Sequence, residues 1–254
     1  MDFFSFGPIA AILDAAYGVV TTLSAAVEPV VGAASGLLAV VILTMLVRAV
    51  LIPVGRSQVR AEFTRRRLAP KLADLQKKHG KDRETLSRKT MELYAAEKAS
   101  PFAGFLPLLL QIPVISLVYA LFTHVQIAGH ANALLAEHVF GAPLGTSFVG
   151  LAGAVGTVWP SIVVYLVVLA LIAAVTTVSR RVLALPLPQG SAAPTGFVKA
   201  MSFLPYVTVV FAAFVPLAAA VYILTSTAWT VAERFTLRRM LDPDRGARSR
   251  PAIG

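Results

Sequence analysis

The chain has 254 residues, 57% of them hydrophobic and only 14% charged, with a mean hydropathy of +0.74 and a formal charge of +10. A soluble domain runs near a quarter charged, so this composition is that of an integral membrane protein, with room for about five spans of ~20 residues and one polar segment. The absence of cysteine excludes disulfides, thiolate metal sites and cysteine nucleophiles.

The basic residues are unevenly placed. None falls in residues 1–35 or 99–179, thirteen fall in 56–98, three in 180–199, six in 234–254, and Arg48 stands alone. The positive-inside rule places basic loops in the cytoplasm. Residues 56–98, the 180–199 loop and the C-terminal tail are therefore expected inside, and the N-terminal region and the 124–158 loop outside.

Residues 1–35 lack a basic start, so a cleaved signal peptide is not expected. Asp14, Gly18, Thr21, Ala25 and Glu28 form one helical stripe, opposite Ile12, Val19, Val20 and Leu23. The pattern predicts an amphipathic helix lying in the outer interface, with a sixth span as the alternative. Span one covers 36–54 and ends at Pro53 and the basic run. Residues 55–100 read as a cytoplasmic helical hairpin, with Leu68, Leu72 and Leu75 on one narrow stripe and Leu86, Leu93 and Tyr94 on another. Gly80 stands between the two helices, and Asp82 is placed to N-cap the second. Such narrow stripes predict a hairpin that moves relative to the membrane part.

Span two covers 101–123, with Pro101 at its start and Pro107, Pro113 and Gln111 inside. The outer loop 124–158 holds three of the four histidines, and its HANALLAEHVF stretch suggests a short helix. Span three covers 159–179, followed by a cytoplasmic connection over 180–197 rich in Pro, Gly and Ser. The nearly uncharged 198–233 is too long for one span and is divided at Pro216 into span four, 198–215, and span five, 216–233. The basic tail 234–254 is expected to be disordered. No internal repeat is evident, which argues against an inverted-repeat transporter.

Arg48 is the one charge within VILTMLVRAVLIP. An arginine in a spanning helix costs about 2.5–3.5 kcal/mol on insertion scales and marks a functional position. It lies eight residues before Arg56, or ~12 Å along a helix, and so in the inner half of the bilayer. Of the thirteen acidic residues, only Glu233 at the end of span five is placed to come near it. One reading has Arg48 snorkel to the inner headgroups; the other keeps it in a wet cavity open to the cytoplasm. Thr44 stands one turn before it on the same face, Gln111 is the one amide within a span, and Tyr222, Ser226, Thr230 and Glu233 share a face of span five beside Trp229. Taken singly, the hydroxyl residues read as ordinary interhelical bonding. The histidine spacings do not suit a metal, no nucleotide-binding motif is present, and Ser147 in GTSF lies in the outer loop rather than in a span. No cofactor is expected.

These residues resemble a known family. ILTMLVRAVLIPVGRSQ, followed by LAPKLADLQKKHGKDRETLSRKTMELYAAEKASPFAGFLPLLLQIPVISLVYALF, strongly resembles the YidC-type family of membrane protein insertases over roughly residues 36–123. The resemblance continues more weakly through FVKAMSFLPYVTVVFAAFVPLAAAVYILTSTAWTVAERF. It implies an all-α five-span bundle with a cytoplasmic hairpin and a hydrophilic groove open to cytoplasm and lipid. The family's groove arginine falls on Arg48, its threonine on Thr44, its glutamine on Gln111 and its tyrosine-bearing face on Tyr222. Pro216-Leu217-Ala218 stands where Pro-Ser-Gly is frequent, and Thr227 where asparagine is common. The resemblance implies the short bacterial form of the family, in which the large outer domain of many Gram-negative members is not expected.

The function this implies is a multi-pass insertase and chaperone of the bacterial cell membrane, not an enzyme, with its N-terminus outside and its C-terminus in the cytoplasm. Its partners would be nascent membrane proteins and the lipid bilayer. The hairpin and basic tail are candidate ribosome contacts, and the Sec translocon is a further candidate partner. Two rival classes stand beside it: an anion transporter or channel using Arg48 as its substrate site, and an assembly factor that holds partner helices without inserting them.

Overall fold

The computed structural model describes residues 7–100, 106–153, 159–183 and 203–242; the side chains of Ile9 and of residues 106–111 lie outside that description. The described chain is mostly helical: α1 (Gly7–Val31), α2 (Ser35–Val50), α3 (Ile52–His79), α4 (Arg83–Ala96), α5 (Leu106–Leu121), α6 (Phe148–Ala152), α7 (Trp159–Leu183), α8 (Val207–Ala212) and α9 (Leu217–Leu241). Four two-residue strands, β1 (Gln126–Ile127), β2 (His130–Ala131), β3 (His138–Val139) and β4 (Ala142–Pro143), pair antiparallel as β1–β2 and β3–β4. Among the described residues, Ala10–Val50 and Trp159–Val182 are long and apolar enough to cross a membrane, and Ile112–Leu121 is a shorter apolar helix. The expected start of span two at Pro101, the connection 184–197 and the tail beyond Asp242 lie outside the described residues.

α1 does not run straight into α2. Gly32 adopts φ +54°, a left-handed conformation that favours glycine, and a short 3-10 turn (Gly32–Ala34) follows. α1 then lies back along α2, with Ala16 and Val20 lining a cavity shared with Val40, Leu43, Thr44 and Val47. Its buried face is Leu13, Val20 and Ser24, spaced i, i+7 and i+11 as one helix face requires. Ile12 and Val19, read from the sequence as part of an apolar side, are exposed. α1 therefore presents apolar side chains both to its neighbours and outward.

The HANALLAEHVF stretch is not a regular helix. It forms β2, a 3-10 turn (Ala133–Ala136) and β3, because Asn132 turns its side chain into the chain's own backbone. Its Nδ2 donates to the carbonyls of Leu121 (2.6 Å) and His124 (2.8 Å), and its Oδ1 accepts from the Leu134 amide (3.0 Å). Residues 126–152 form a cap stitched to the start of α9: the Leu217 amide donates to Thr146 O and the Ala218 amide to Leu144 O. On α7, the Tyr165 hydroxyl lies 2.9 Å from Pro143 O and 2.6 Å from Thr146 O, and Ser161 donates to Gly141 O. Ser24 of α1 donates to Glu137 Oε1, whose carboxyl also lies against Gly36. Ser147 N-caps α6 by accepting from the Gly150 amide. Leu217, Ala218 and Ala219 are fully buried beneath this cap, so this end of the bundle is closely packed.

At the opposite end α2 breaks at Leu51, and α3 starts with Pro53 in its first turn, where a missing N–H leaves no bond unmade. Asp82 N-caps α4 by accepting from the Thr85 amide at 3.1 Å. Glu97, just past α4, clasps it to α3, accepting from Arg67 (2.8 Å) and Lys71 (2.6 Å). The hydrogen bond from Lys71 holds the Glu97 carboxyl below the usual glutamate range. A depressed carboxylate contributes stability in full above its unfolded pKa and loses it as pH falls through the folded value. Amide exchange in α4 is thus expected to rise selectively below roughly pH 4, and an unchanged α4 profile there would count against the clasp.

Two sequence expectations change here. The tail expected to be disordered from Arg234 is helical through Leu241, because Arg238 pairs with Glu62 of α3 (2.6 Å) and donates to the Val182 carbonyl of α7 (3.2 Å). The Arg239 guanidinium also stacks on Phe235, 3.9 Å from its ring centroid. The first half of the hairpin is accordingly tied to the bundle, with Val59 and Leu68 buried, whereas α4 buries no residue. The hairpin expected to move as a whole is therefore packed against the bundle in its first half, and only α4 is left without a buried residue.

Candidate functional site

α2–α3 and α9 run side by side in the same direction and meet in a regular seam. Arg48 meets Ser226, Gly55 meets Glu233 and Glu62 meets Arg238. The contacts on α2–α3 recur every seven residues, two helical turns or ~10 Å apart. Arg48, in the last turn of α2, donates from Nη2 to the Ser226 hydroxyl and is half-buried. Tyr222 and Glu233, on the same face of α9, lie within electrostatic range of its guanidinium. Arg48 is thus tempered by a carboxylate about two turns away along α9 rather than isolated.

Glu233 is held on both sides. Trp229 donates from Nε1 to its Oε2 at 3.0 Å, while Oε1 is shielded from solvent and accepts no hydrogen bond among the described residues. Gly55 makes the room: a Cβ there would stand 1.8 Å from Glu233 Oε1. Gly55→Ala is expected to push the carboxylate away and break its bond to Trp229. The cost to stability is small, because the displaced group is the end of a flexible side chain. With Trp159 replaced by Phe, the emission of Trp229 reports the change, and an unshifted spectrum would rule out this packing.

The other site residues divide into two sets. Thr44 and Tyr222 are buried and line an enclosed cavity of about 90 Å³ together with Val20, Val40, Val114 and Phe122. The Thr44 hydroxyl donates to its own helix at Val40 O, 2.7 Å away, so Thr44 presents an apolar surface to this cavity. On the hairpin side of Arg48, Thr230 donates to Ser226 O and Thr227 to Ile223 O. The side chain of Gln111 lies outside the described residues, although its backbone belongs to α5. Past Glu233 a more open cavity of about 390 Å³ is walled by Ile52, Arg56, Trp229, Glu233, Thr236 and Met240. The polar groups around Arg48 therefore lie between two cavities that are both walled mainly by apolar surface, the enclosed one toward the cap and the more open one toward the hairpin.

Sequence reasoning passed over Gly55, Asn132 and the Glu62–Arg238 pair. Gly55 has a signal in hindsight, since it lies seven residues after Arg48, as Glu233 does after Ser226. Glu62 continues that seven-residue spacing, but Arg238 falls five residues after Glu233 and breaks it, and Asn132 falls in no periodic pattern.

A helical membrane protein with a cation set against a hydroxyl and a carboxylate at the hairpin end of its bundle is the class these features define. The family model described as "60Kd inner membrane protein" matches residues 27–244, and the chain belongs to that family. Among curated relatives, a membrane protein insertase YidC of Histophilus somni (strain 2336) is 28% identical over 205 residues, 81% of this chain and 34% of the relative. The protein of that name from Allorhizobium ampelinum is 38% identical over 115 residues, 45% of this chain and 18% of the relative. The one from Neisseria gonorrhoeae (strain NCCP11945) is 44% identical over 90 residues, 35% of this chain and 16% of the relative. The aligned part of the chain spans about a third or less of the length of these relatives. The resemblance read from the motifs around Arg48 thus agrees with the family match.

Proposed function

We propose that the protein is a membrane protein insertase and chaperone that works without covalent chemistry. Nascent hydrophobic segments with polar or acidic flanks are its substrates. The observation that carries this reading is Arg48, a half-buried cation at the end of an apolar helix, with Ser226, Tyr222 and Glu233 around it. A flank drawn toward Arg48 enters from the hairpin side, which shortens the low-dielectric path it must cross. The apolar part of the substrate then leaves sideways into lipid.

In this reading the bundle has five spans, 36–54, 101–123, 159–179, 198–215 and 216–233. The hairpin and C-terminus face the cytoplasm of a bacterial cell, and the cap faces outward. α1 lies back along α2 as far as Thr44 and Val47, beside these spans rather than flat on the outer face, with its exposed Ile12 and Val19 turned to lipid. Arg48, Thr44, Gln111, Tyr222, Ser226 and Thr230 form the groove, with Thr44 and Tyr222 at its closed end. The distal hairpin and the basic tail receive the ribosome, whose RNA is polyanionic, and the Sec translocon is a second partner.

Reconstitution tests the reading. Proteoliposomes holding only this chain are expected to insert a short hydrophobic protein with an acidic flank well above protein-free vesicles. Insertion at the protein-free level, with saturable anion flux in its place, would make the protein a transporter.

A further inference from the structure

Arg48, Glu233 and Arg56 alternate in sign on the hairpin side of the site, and Arg234 lies within electrostatic range of both Arg48 and Glu233. Arg56, at the rim of the larger cavity, is exposed and makes no ion pair or hydrogen bond among the described residues. Glu233 lies between the cavity and Arg48. Its position is a costly one, because a carboxylate oxygen closed off from water without a donor forgoes the hydrogen bonds it makes in solution. Trp229 and the notch at Gly55 nevertheless hold it there. A carboxylate serving only to fasten α9 to α3 would gain more from a direct ion pair, as Glu62 does one contact further along the seam with Arg238.

We propose that Glu233 is the charge-selecting residue of this site, a built-in carboxylate that occupies the field of Arg48 until a substrate's acidic flank takes its place. The inference rests on the insertase reading and deepens it by naming what sets substrate preference. A flank entering through the larger cavity passes Arg56, meets Glu233 and reaches Arg48 only against the repulsion of that carboxylate. Weakly acidic or neutral flanks are slowed little, and flanks carrying a basic residue gain a partner. Glu233 thereby narrows the advantage that Arg48 alone would give to acidic flanks. It acts through Arg48, as a positioning residue for charge.

The test compares the reconstituted full chain with Glu233→Gln, using one hydrophobic substrate built with acidic, neutral and basic flanks. Glutamine keeps the shape and an acceptor for Trp229, so the packing at Gly55 survives. The acidic-to-basic insertion ratio is expected to rise about fivefold or more, as loss of one unit charge at this range implies. Insertion of the neutral-flanked substrate should hold steady. In an Arg48→Ala background the gain for acidic flanks from Glu233→Gln should vanish. A unchanged ratio in Glu233→Gln, or equal slowing of all three substrates, would reduce Glu233 to a structural role and overturn the proposal. So would a gain that persists in full without Arg48. Failure of the parent protein to insert anything would instead strike the insertase reading, and the two failures are told apart by the wild-type lane.

Discussion

Arg48→Ala is expected to reduce insertion of acidic-flanked substrates by roughly ten- to a hundredfold. Two unit charges 4 Å apart interact by about 4 kcal/mol at an effective dielectric of 20, and a third to two-thirds of that, after partial offset by Glu233, corresponds to one to two decades in rate. Arg48→Lys should stay within a few-fold of the parent, since it keeps the charge and an ammonium that reaches the Ser226 hydroxyl. The same substrate with neutral flanks should be nearly indifferent to both changes. That contrast separates loss of attraction from loss of fold, because the packed end of the bundle, with Leu217 and Ala218 fully buried beneath the cap, does not involve residue 48. Equal insertion of acidic-flanked substrate by Arg48→Ala and the parent protein would remove electrostatic attraction from the mechanism.

The largest effect on stability is expected at Asn132. Its side chain is 7% exposed and satisfies three backbone groups, the carbonyls of Leu121 and His124 and the amide of Leu134. Leu121 is the last residue of α5, where helix carbonyls have no partner within the helix. Asn132→Ala removes all three bonds from the cap, at a cost of about 2–4 kcal/mol. For a chain of this size that lowers the melting temperature in detergent by roughly 5–10 °C. Asn132→Asp should cost at least as much, because it turns an acceptor toward two carbonyls. A melting temperature within a degree of the parent for either variant would show that the cap is held by other means.

How much of this was legible in the sequence depends on the kind of signal. Arg48 was plain, since one charge in an apolar run has few innocent explanations. Ser226, Thr230 and Glu233 were legible as a stripe, because helical periodicity survives in any helix. α3 and α4 followed from their apolar stripes and from Asp82, whose side chain meets the Thr85 amide. The cap was not legible. Its order comes from Asn132, Ser147 and Tyr165 bonding to particular carbonyls and amides, and such contacts carry no periodic trace. α9 was cut short at Glu233 because a basic run reads as a solvated tail, whereas Arg238 finds Glu62 176 positions earlier. The lie of α1 followed from Gly32, whose positive φ reverses the chain, and composition alone does not distinguish that turn from a simple linker.

The central claim is that Arg48 faces water from the hairpin side within the bilayer. The chain has no native cysteine, so single Arg48→Cys and Leu46→Cys variants in sealed vesicles can each be exposed to a membrane-impermeant thiol reagent from either face. Leu46 is the lipid-side control, being 54% exposed on the outer surface of α2. Labelling of position 48 from the hairpin side only, with position 46 unlabelled, is the predicted result. Protection of position 48 from both sides, or labelling from both, would contradict it.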